Sequence, residues 1–318
     1  MSNLRIPGLS PLVGALKAPS IFWSFSRIGY QRRAAKFRDD DIEAKGKTVL
    51  VTGANSGLGF ATCETLIAHG ARVIMLCRNP ERGEEALRTI RKLAQHGGSA
   101  ELVIADMSSL DSIREMAKTL PADPIHALVH NAGSLNDSRR TTDAGLEFDF
   151  ALHVAGPYLL TKLVAENLRA AQGRVIFVAS GGMYSERFSM AANDWADRPY
   201  DGVKAYAHAK RAQVVLASLW DKHEAGFAVY AMHPGWVDTP GVATSLPRFY
   251  KRLRRWLRTP HEGADTIVWL AAAATAPSPT GAFWFDRHAV SSHMLPNTRE
   301  DAHERSALWA ALEAIANR

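Results

Sequence analysis

The chain has 318 residues, 47% of them hydrophobic, which is enough to bury one large α/β core. Its formal net charge is +6, but six basic residues lie in one segment, "RFYKRLRRWLR" (248–258). The remaining 32 basic residues equal the 32 acidic ones, which argues against a nucleic-acid-binding protein. The two cysteines, Cys63 and Cys77, exclude a disulfide framework and fit a reducing, cytoplasmic compartment. No Cys/His spacing suits a structural metal, and we expect none.

From Lys47 onward, short apolar segments rich in β-formers alternate with amphipathic stretches typical of helices. Near-continuous apolar strands separated by helices predict a parallel sheet that is covered on both faces. The expected fold class is therefore α/β, doubly wound, with a mostly seven-stranded parallel sheet. The predicted strands are 48–53, 72–78, 101–106, 125–133, 174–180, 227–235 and 281–287.

The segments between the strands predict the helices and the domain limits. A long helix is expected through "LEFDFALHVAGPYLLTKLVAENL" (146–168). The uncharged run 266–285 is interrupted by "PSPTG", which predicts a helix, a turn and a strand and not a membrane span. Residues 47–318 form one catalytic domain, with a substrate lid at about 240–262. Residues 1–46 stand outside the pattern as an N-terminal extension and a candidate interfacial segment.

A glycine-rich stretch, "TGANSGLG" (52–59), lies where the first strand passes into the first helix. Gly53 permits a tight turn, Gly57 lets the backbone approach a pyrophosphate, and Gly59 lets helix and strand pack closely. The helix then presents free N–H groups and its positive dipole end to the anion. This placement predicts a dinucleotide-binding site.

The end of the second predicted strand bears on which dinucleotide binds. An acidic residue there would bind a ribose 2′-hydroxyl and repel a 2′-phosphate. This strand instead ends in "LCRN", so that Arg78 is available to bind a phosphate through its planar guanidinium group. We therefore favour NADP(H), with NAD(H) as the alternative if Arg78 only contributes to the solvated surface.

Six motifs in succession resemble those of the short-chain dehydrogenase/reductase family: "TGANSGLG", "AD" (105–106), "NAG" (131–133), "VAS" (178–180), "YAHAK" (206–210) and "HPGWVDT" (233–239). The resemblance covers roughly residues 47–290. It implies a Rossmann fold, an oxidoreductase that uses a nicotinamide cofactor, and a homodimer or higher homo-oligomer.

The resemblance also implies roles for individual residues. Tyr206 is the general acid for the substrate carbonyl oxygen, Ser180 holds that oxygen, and Lys210 binds the cofactor ribose and biases the phenol. Tyr206 and Lys210 thus also contact the cofactor. The other implied cofactor-binding residues are Thr52, Gly53, Asn55, Ser56, Gly57, Leu58, Gly59, Arg78, Asp106, Asn131, Ala132, Gly133, Pro234, Gly235, Trp236, Val237 and Thr239.

Tyr206 and Lys210 are one helical turn apart, and elementary electrostatics supports the pairing. An ammonium group about 4 Å from a tyrosinate contributes roughly 4 kcal/mol at an effective dielectric constant of 20. This corresponds to about three pKa units, enough to lower the pKa of a phenol from about 10 to about 7. We therefore expect a Tyr206 pKa close to working pH, as general acid–base catalysis requires.

His153 departs from the family pattern, which has asparagine at this position as part of a water relay from the lysine. A histidine could carry protons itself, because its ordinary pKa is near 6.5. Alternatively it only fills the space, or the site is catalytically impaired. His130, which precedes "NAG", is expected to be a packing change, and His208 to point to another helix face than Tyr206.

The segment 248–258 places Phe249, Leu253, Trp256 and Leu257 on one stripe of a basic helix. Such a helix suits an anionic membrane surface, or it packs on the body as an ordinary lid. The extension adds "IFWSFSRIGYQRR" (21–33), again aromatic residues followed by basic ones. Peripheral membrane association is therefore one hypothesis, and a dimer contact is another.

These features predict an NADP(H)-dependent oxidoreductase that interconverts a carbonyl and an alcohol on a lipophilic small molecule. The alternative is a dinucleotide-binding sensor or scaffold without turnover, for which His153 is the only support. We expect no nucleic-acid partner.

Overall fold

The computed structural model describes residues 21–38, 41–190, 193–196, 198–223 and 226–318. The described chain is built on one eight-stranded sheet with the strand order β3-β2-β1-β4-β5-β6-β7-β8. All neighbouring strands are parallel except the last pair. The strands are β1 Thr48–Thr52, β2 Arg72–Cys77, β3 Ser99–Ile104, β4 Ala127–His130, β5 Arg174–Val178, β6 Ala228–Met232, β7 Phe283–Phe285 and β8 His288–Val290.

Helices connect the parallel strands, and buried apolar clusters lie on both faces of the sheet. The predicted doubly wound fold is therefore confirmed. The helices are α1 Arg27–Ala34, α2 Gly57–Ala68, α3 Pro80–Arg91, α4 Leu110–Ala117, α5 Phe148–Phe150, α6 Gly156–Leu163, α7 Ala165–Ala170, α8 Gly202–His223, α9 Pro240–Ser245, α10 Pro247–Leu253, α11 Pro260–Ala272 and α12 Ala302–Ala316.

The order of the strands positions the functional site. Strands β2 and β3 lie on one side of β1, whereas β4 and the later strands lie on its other side. The strand order therefore reverses direction between β1 and β4. In open α/β sheets, ligands bind outside the carboxyl ends of the strands at such a switch point. The glycine-rich loop follows β1, and the "NAG" and "VAS" motifs end β4 and β5 at the same edge.

Two details differ from the sequence prediction. The eighth strand, β8, was missed; it pairs antiparallel with β7 through a two-residue turn, Asp286–Arg287, in which both φ angles are positive. Such turns usually contain glycine or asparagine, so the sequence carried no hairpin signal. The predicted long helix is divided: a π-helical turn, Ala151–Ala155, precedes α6, and Val164 separates α6 from α7.

The described part of the N-terminal extension lies against the catalytic domain. Ile21 and Phe25 are buried, and the Phe25 ring packs against Trp236 and Phe285. The segment 266–285 forms the end of α11, a turn and β7, as predicted. Within the described ranges, no helix combines the length and apolar character needed to cross a membrane.

Candidate active site

The glycine-rich loop has the geometry expected of a phosphate-binding turn. Gly53 and Gly57 have φ angles of +64° and +55°, a region that side chains other than glycine rarely adopt. A β-carbon on Gly59 would clash with the carbonyl oxygen of Gly53, so glycine is required for the close packing of α2 on the loop. The Ser56 side chain makes no capping hydrogen bond. The first N–H groups of α2 are therefore not capped by that side chain and can bind an anion.

A cavity of about 630 Å³ extends from this loop along the carboxyl edge of the sheet. Its size and elongated lining fit a dinucleotide with a small substrate beside it. The predicted site residues that line it are Gly53, Asn55, Ser56, Gly57, Leu58, Arg78, Asp106, Asn131, Ala132, Gly133, Ser180, Tyr206, Lys210, Pro234, Gly235, Trp236, Val237 and Thr239. The predicted residues Thr52, Gly59 and His153 lie behind this wall and support it.

Thr52 shapes the cavity floor from behind. Its Oγ1 accepts hydrogen bonds from the backbone N–H groups of Asn131 (3.0 Å) and Ala132 (2.9 Å). The Asn131 side-chain amide donates in return to the carbonyl oxygen of Thr52 at 3.0 Å. These bonds join the loop after β1 to the loop after β4, so that the two loops form one rigid surface.

The cavity end near β2 and β3 is positively charged. Arg78 follows β2 with its side chain 65% exposed, and its Nη1 atom lies 3.8 Å from Oδ2 of Asp106. The Asp106 carboxylate also accepts hydrogen bonds from the backbone and hydroxyl of Ser108. Arg82, one turn into α3, lines the same end and was missed from the sequence. The sequence did contain a signal for Arg82. It follows Arg78 by four residues, and α3 begins between them at Pro80, so both side chains can reach the same end of the cavity.

Ser180, Tyr206 and Lys210 are brought together at the middle of the cavity. Ser180 follows β5, whereas Tyr206 and Lys210 lie one turn apart on α8. A hydrogen bond with Ser180 lowers the pKa of Tyr206, but burial has the larger effect and raises it to about 12. The phenol is therefore protonated at neutral pH, as a general acid must be.

The expected lowering of the Tyr206 pKa to about 7 by Lys210 is wrong, because burial raises this pKa instead. The Lys210 ammonium lies 5.5 Å from the centroid of the Tyr206 ring and donates to the Val178 carbonyl (2.8 Å) and to Oε1 of Gln213 (3.0 Å). Burial lowers the pKa of Lys210 itself to about 7. Burial thus disfavours the charged form of Lys210, and its amino group is directed to these other acceptors.

His153 lies in the π-helical turn and is fully buried. Its ring packs edge-on against Tyr206, with centroids 5.3 Å apart. Its Nε2 atom lies 3.1 Å from the carbonyl oxygen of Ser134 and 3.6 Å from Oδ1 of Asp149. Burial and the nearby Lys210 lower the pKa of His153, so the imidazole is neutral at neutral pH.

The other two histidines discussed in the sequence analysis, His130 and His208, belong to the packing of the core. His130 is buried, stacks on Phe177 and pairs with the Thr161 hydroxyl at 2.8 Å. His208 accepts a hydrogen bond from the Ser189 backbone through Nε2 (3.1 Å) and stacks on Phe188. Both positions agree with the sequence interpretation.

The wall around Ser180, Tyr206 and Lys210 and under segment 240–249 is mostly apolar and uncharged. Its larger side chains are Leu135, Leu152, Val203, Trp236, Leu246 and Phe249. Among the described residues that line the cavity, the charged ones are Arg78, Arg82, Asp106 and Lys210. Three of these lie at the β2–β3 end and the fourth is Lys210, so the part of the cavity under segment 240–249 has an uncharged lining.

The basic segment 248–258 does not form the single amphipathic helix that was predicted. Helix α10 ends at Leu253, a 3₁₀ turn follows over Arg254–Trp256, and Leu257 is extended. Leu253 and Leu257 are buried against the body, which matches the alternative of an ordinary lid. Arg258 is also buried, so it does not contribute to the exposed basic surface. Within the expected lid, 240–262, the residues that line the cavity lie between 240 and 249.

The fold and these residues define a dinucleotide-binding oxidoreductase. The family model of short chain dehydrogenases matches residues 47–248. The chain therefore belongs to the short-chain dehydrogenase/reductase family.

Relatives and a solved structure agree with this assignment. The chain is 35% identical over 301 residues to dehydrogenase/reductase SDR family member 12 of Bos taurus, covering 92% of this chain and 94% of that protein. It is 32% identical over 292 residues to human retinol dehydrogenase 14, covering 85% and 86%. The crystal structure of an uncharacterised protein from Mycobacterium paratuberculosis superposes with a TM-score of 0.69 at 26% identity, covering 88% of this chain and 97% of that one.

Proposed function

We propose that the protein is an NADP(H)-dependent oxidoreductase that interconverts a carbonyl and an alcohol on a lipophilic small molecule. The observation that carries the proposal is the division of the cavity. Its charged groups lie at the β2–β3 end and at Lys210, whereas Leu152, Val203 and Phe249 belong to an uncharged wall near Tyr206. An ionised substrate would leave its charge unpaired against this wall, which is costly. The similarity to retinol dehydrogenase 14, named for a lipophilic alcohol, supports the same substrate class.

The preference for NADP(H) follows from the positive end of the cavity. Arg78 and Arg82 both line it, and no acidic residue ends β2. Asp106 partly offsets Arg78, but at 3.8 Å and with both groups partly exposed the pair is weak. The guanidinium group of Arg78 is therefore available for the 2′-phosphate that distinguishes NADP(H) from NAD(H).

The catalytic roles follow from protonation and position. A bound nicotinamide would supply or accept the hydride at the substrate carbon. Tyr206 carries its proton at neutral pH and donates it to the carbonyl oxygen during reduction. Ser180, whose hydroxyl lowers the pKa of the Tyr206 phenol, holds the same oxygen. Lys210 replaces the proton lost by Tyr206, because its lowered pKa of about 7 lets it both gain and lose a proton near neutral pH.

The test is NADPH oxidation against a panel of medium- and long-chain aldehydes and ketones, with NADH and Tyr206→Phe in parallel. We expect turnover with NADPH, a loss of about 100-fold or more in the variant, and unchanged NADPH affinity. Tight NADPH binding by wild type without turnover across the panel would favour a sensor or scaffold. Absence of binding to either cofactor would overturn the proposal altogether.

A further inference from the structure

We infer that the N-terminal segment (residues 21–38) supports the wall of the active site from outside, and that it positions Ser180 and Trp236 through Phe25. The inference rests on the proposed function, because it concerns the end of the cavity that would hold the nicotinamide and the substrate. The segment precedes all six motifs of the sequence, which lie between residues 52 and 239. Phe25 is not among the described residues that line the cavity, so it is a positioning residue.

The Phe25 side chain is buried between the chain that follows β5 and the chain that follows β6. On the β5 side, its ring stacks with Tyr184 at a centroid distance of 6.5 Å. On the β6 side, it makes edge-on contacts with His233 at 4.6 Å and with Trp236 at 5.9 Å. A side chain from the N-terminal segment therefore contacts both of the loops that form the substrate end of the cavity.

Gly181 shows how closely the Phe25 ring approaches Ser180. Gly181 follows Ser180 directly and lines the cavity. A β-carbon at Gly181 would lie 2.7 Å from Cε2 of Phe25, so any side chain there would displace the ring. The φ angle of Gly181 is outside the left-handed region, and the ring is therefore what requires glycine at this position. The ring thus limits how far the turn that carries Ser180 can move away from the cavity.

The backbone of Phe25 holds the loop after β6. Its carbonyl oxygen accepts hydrogen bonds from the Trp236 N–H at 2.9 Å and from Nε of Arg258 at 3.1 Å. The Trp236 carbonyl oxygen in turn accepts a hydrogen bond from the Arg258 N–H at 2.7 Å. The backbone of Trp236 is therefore fixed at both its N–H group and its carbonyl oxygen.

The Trp236 ring transmits the position of the segment to the cavity. It lines the cavity and makes an edge-on contact at 5.4 Å with Phe249 of the lid, which also lines the cavity. The same ring contacts Phe22 at 6.0 Å and Phe25 at 5.9 Å. Loss of the Phe25 ring would leave a void behind Trp236, which the surrounding structure fills only in part. Both Trp236 and the lid residue packed on it would then be less firmly placed.

The N-terminal segment is anchored by bonds that do not involve the Phe25 side chain. Arg27 pairs with Glu262 on α11 at 2.9 Å, and Arg33 pairs with the buried Asp286 at 2.6 Å. These ion pairs remain when the Phe25 side chain is shortened. Substitution of Phe25 therefore alters the support of the wall without detaching the segment.

Phe25 packs at one end of the cavity, which makes the inference testable. It contacts the loops after β5 and β6, whereas β2 and β3 lie beyond β4 and β1 in the sheet. In the proposed function, Arg78 and Arg82 at the β2–β3 end hold the 2′-phosphate, and the nicotinamide lies near Ser180 and Trp236. Loss of the Phe25 ring should therefore affect the nicotinamide half of the cofactor and spare the adenosine half. A segment that only stabilises the fold would not distinguish the two halves.

The first test measures binding and needs no turnover. Wild type, Phe25→Ala and Phe37→Ala are titrated with NADPH and with 2′-phospho-ADP-ribose, which lacks the nicotinamide. We expect Phe25→Ala to raise the Kd for NADPH about tenfold and to leave the Kd for 2′-phospho-ADP-ribose within about twofold. Phe37→Ala is the matched control, because this ring of the same segment contacts Tyr30 and Arg287, and it should leave both values unchanged. Equal changes for both ligands, or an unchanged Kd for NADPH, would overturn the inference.

Two milder variants carry the same test if Phe25→Ala does not fold. Phe25→Leu keeps part of the apolar volume, and Phe22→Ala removes a half-buried ring that also contacts Trp236. The stoichiometry of 2′-phospho-ADP-ribose binding counts the folded sites in each preparation. We expect both variants to raise the Kd for NADPH about two- to fivefold at full stoichiometry. Wild-type NADPH affinity in both would overturn the inference.

The second test measures turnover per folded site with the aldehyde or ketone that wild type reduces best. We expect Phe25→Ala to lower kcat about 10- to 100-fold, because a small displacement of Ser180 misaligns the substrate oxygen. Phe25→Leu should recover most of the activity, and Phe37→Ala should equal wild type. Wild-type kcat and KM in Phe25→Ala would overturn the inference. Failure of the proposed function is distinguishable, since wild type and Tyr206→Phe would then be equally inactive.

Discussion

Arg258 and Asp286 form a bidentate ion pair in the interior, with Nη1–Oδ1 and Nη2–Oδ2 distances of 2.6 and 3.0 Å. Arg258 also donates to the backbone carbonyl oxygens of Ser24 and Phe25. Arg33 reaches the same Asp286 carboxylate at 2.6 Å. One buried pair therefore joins the N-terminal segment, the end of the lid and the turn between β7 and β8.

Removing one partner of this pair should destabilise the protein strongly. Arg258→Met leaves the Asp286 carboxylate in the interior with Arg33 as its remaining partner among the described residues, and we expect a loss of about 3–5 kcal/mol in the free energy of unfolding. Urea denaturation measures it. Arg255→Met, an exposed neighbour, should change the same quantity by less than about 0.5 kcal/mol. Equal effects of the two substitutions would contradict the structural role of the pair.

Arg78 should determine the cofactor preference. Arg78→Ala removes a charged hydrogen-bond donor, and we expect the Kd for NADPH to rise about 10- to 100-fold while that for NADH changes little. Arg82→Ala should show a smaller effect of the same kind. Arg88→Ala on the exposed face of α3 is the matched control. Titration of each variant with both cofactors gives the measurement, and parallel weakening of NADH would argue against 2′-phosphate recognition.

Lys210 should make the stability of the cofactor-free protein depend on pH. Its pKa falls from 10.5 to about 7 on folding. Between these values the unfolded state binds more protons, so the stability of the fold rises with pH across this window. The destabilisation is complete below about pH 7 and disappears above about pH 10.5.

Lys210→Met should therefore be more stable than wild type near pH 6, by an amount on the order of a few kcal/mol, and the difference should shrink as the pH rises toward 10. Urea denaturation across this range measures the difference. Lys204→Met, at an exposed position of the same helix, should show no such trend. A constant difference across the range would show that Lys210 does not titrate in this window.

Much of the fold and of the site follows from local sequence. The alternation of apolar strands and amphipathic helices is a property of short segments, and it predicted seven strands of the sheet. The glycine-rich loop is also local, because its φ angles and its close packing restrict Gly53, Gly57 and Gly59 in one turn. The helical spacing alone predicted that Tyr206 and Lys210 lie on one face of a helix.

The rest depends on the packed structure. The local sequence around Lys210 does not indicate that its ammonium group is buried beside Val178 and Gln213. Similarly, Arg258 ends a run of exposed basic residues, and only its contact with Asp286, 28 residues later, places it in the interior. Asp149 has no sequence motif, and its relation to His153 depends on the π-helical turn. Long-range contacts decide the charge state and burial in all three cases.

The exposed basic surface of the lid should bind anionic membranes. Arg248, Lys251, Arg252, Arg254 and Arg255 are all exposed. Next to them lies an aromatic group: Trp23 is 49% exposed and contacts Phe22, which packs against Trp256 at 5.9 Å. An exposed tryptophan beside several cations is the composition that favours the interface of an anionic bilayer. The adjacent Phe249 lines the cavity, so a lipophilic substrate would have a short path from the bilayer.

We expect the protein to sediment with vesicles containing phosphatidylserine, but not with pure phosphatidylcholine vesicles, and to be released by salt. Each basic residue near the surface contributes about 1 kcal/mol, so Lys251→Glu with Arg252→Glu should weaken binding at least tenfold. Arg88→Glu with Lys92→Glu carries the same change of charge at the end of α3 and should bind normally. Trp23→Ala should weaken binding even in low salt, because its contribution is apolar. If the protein bound duplex DNA as strongly as it bound the anionic vesicles, the surface would instead recognise phosphate groups in general.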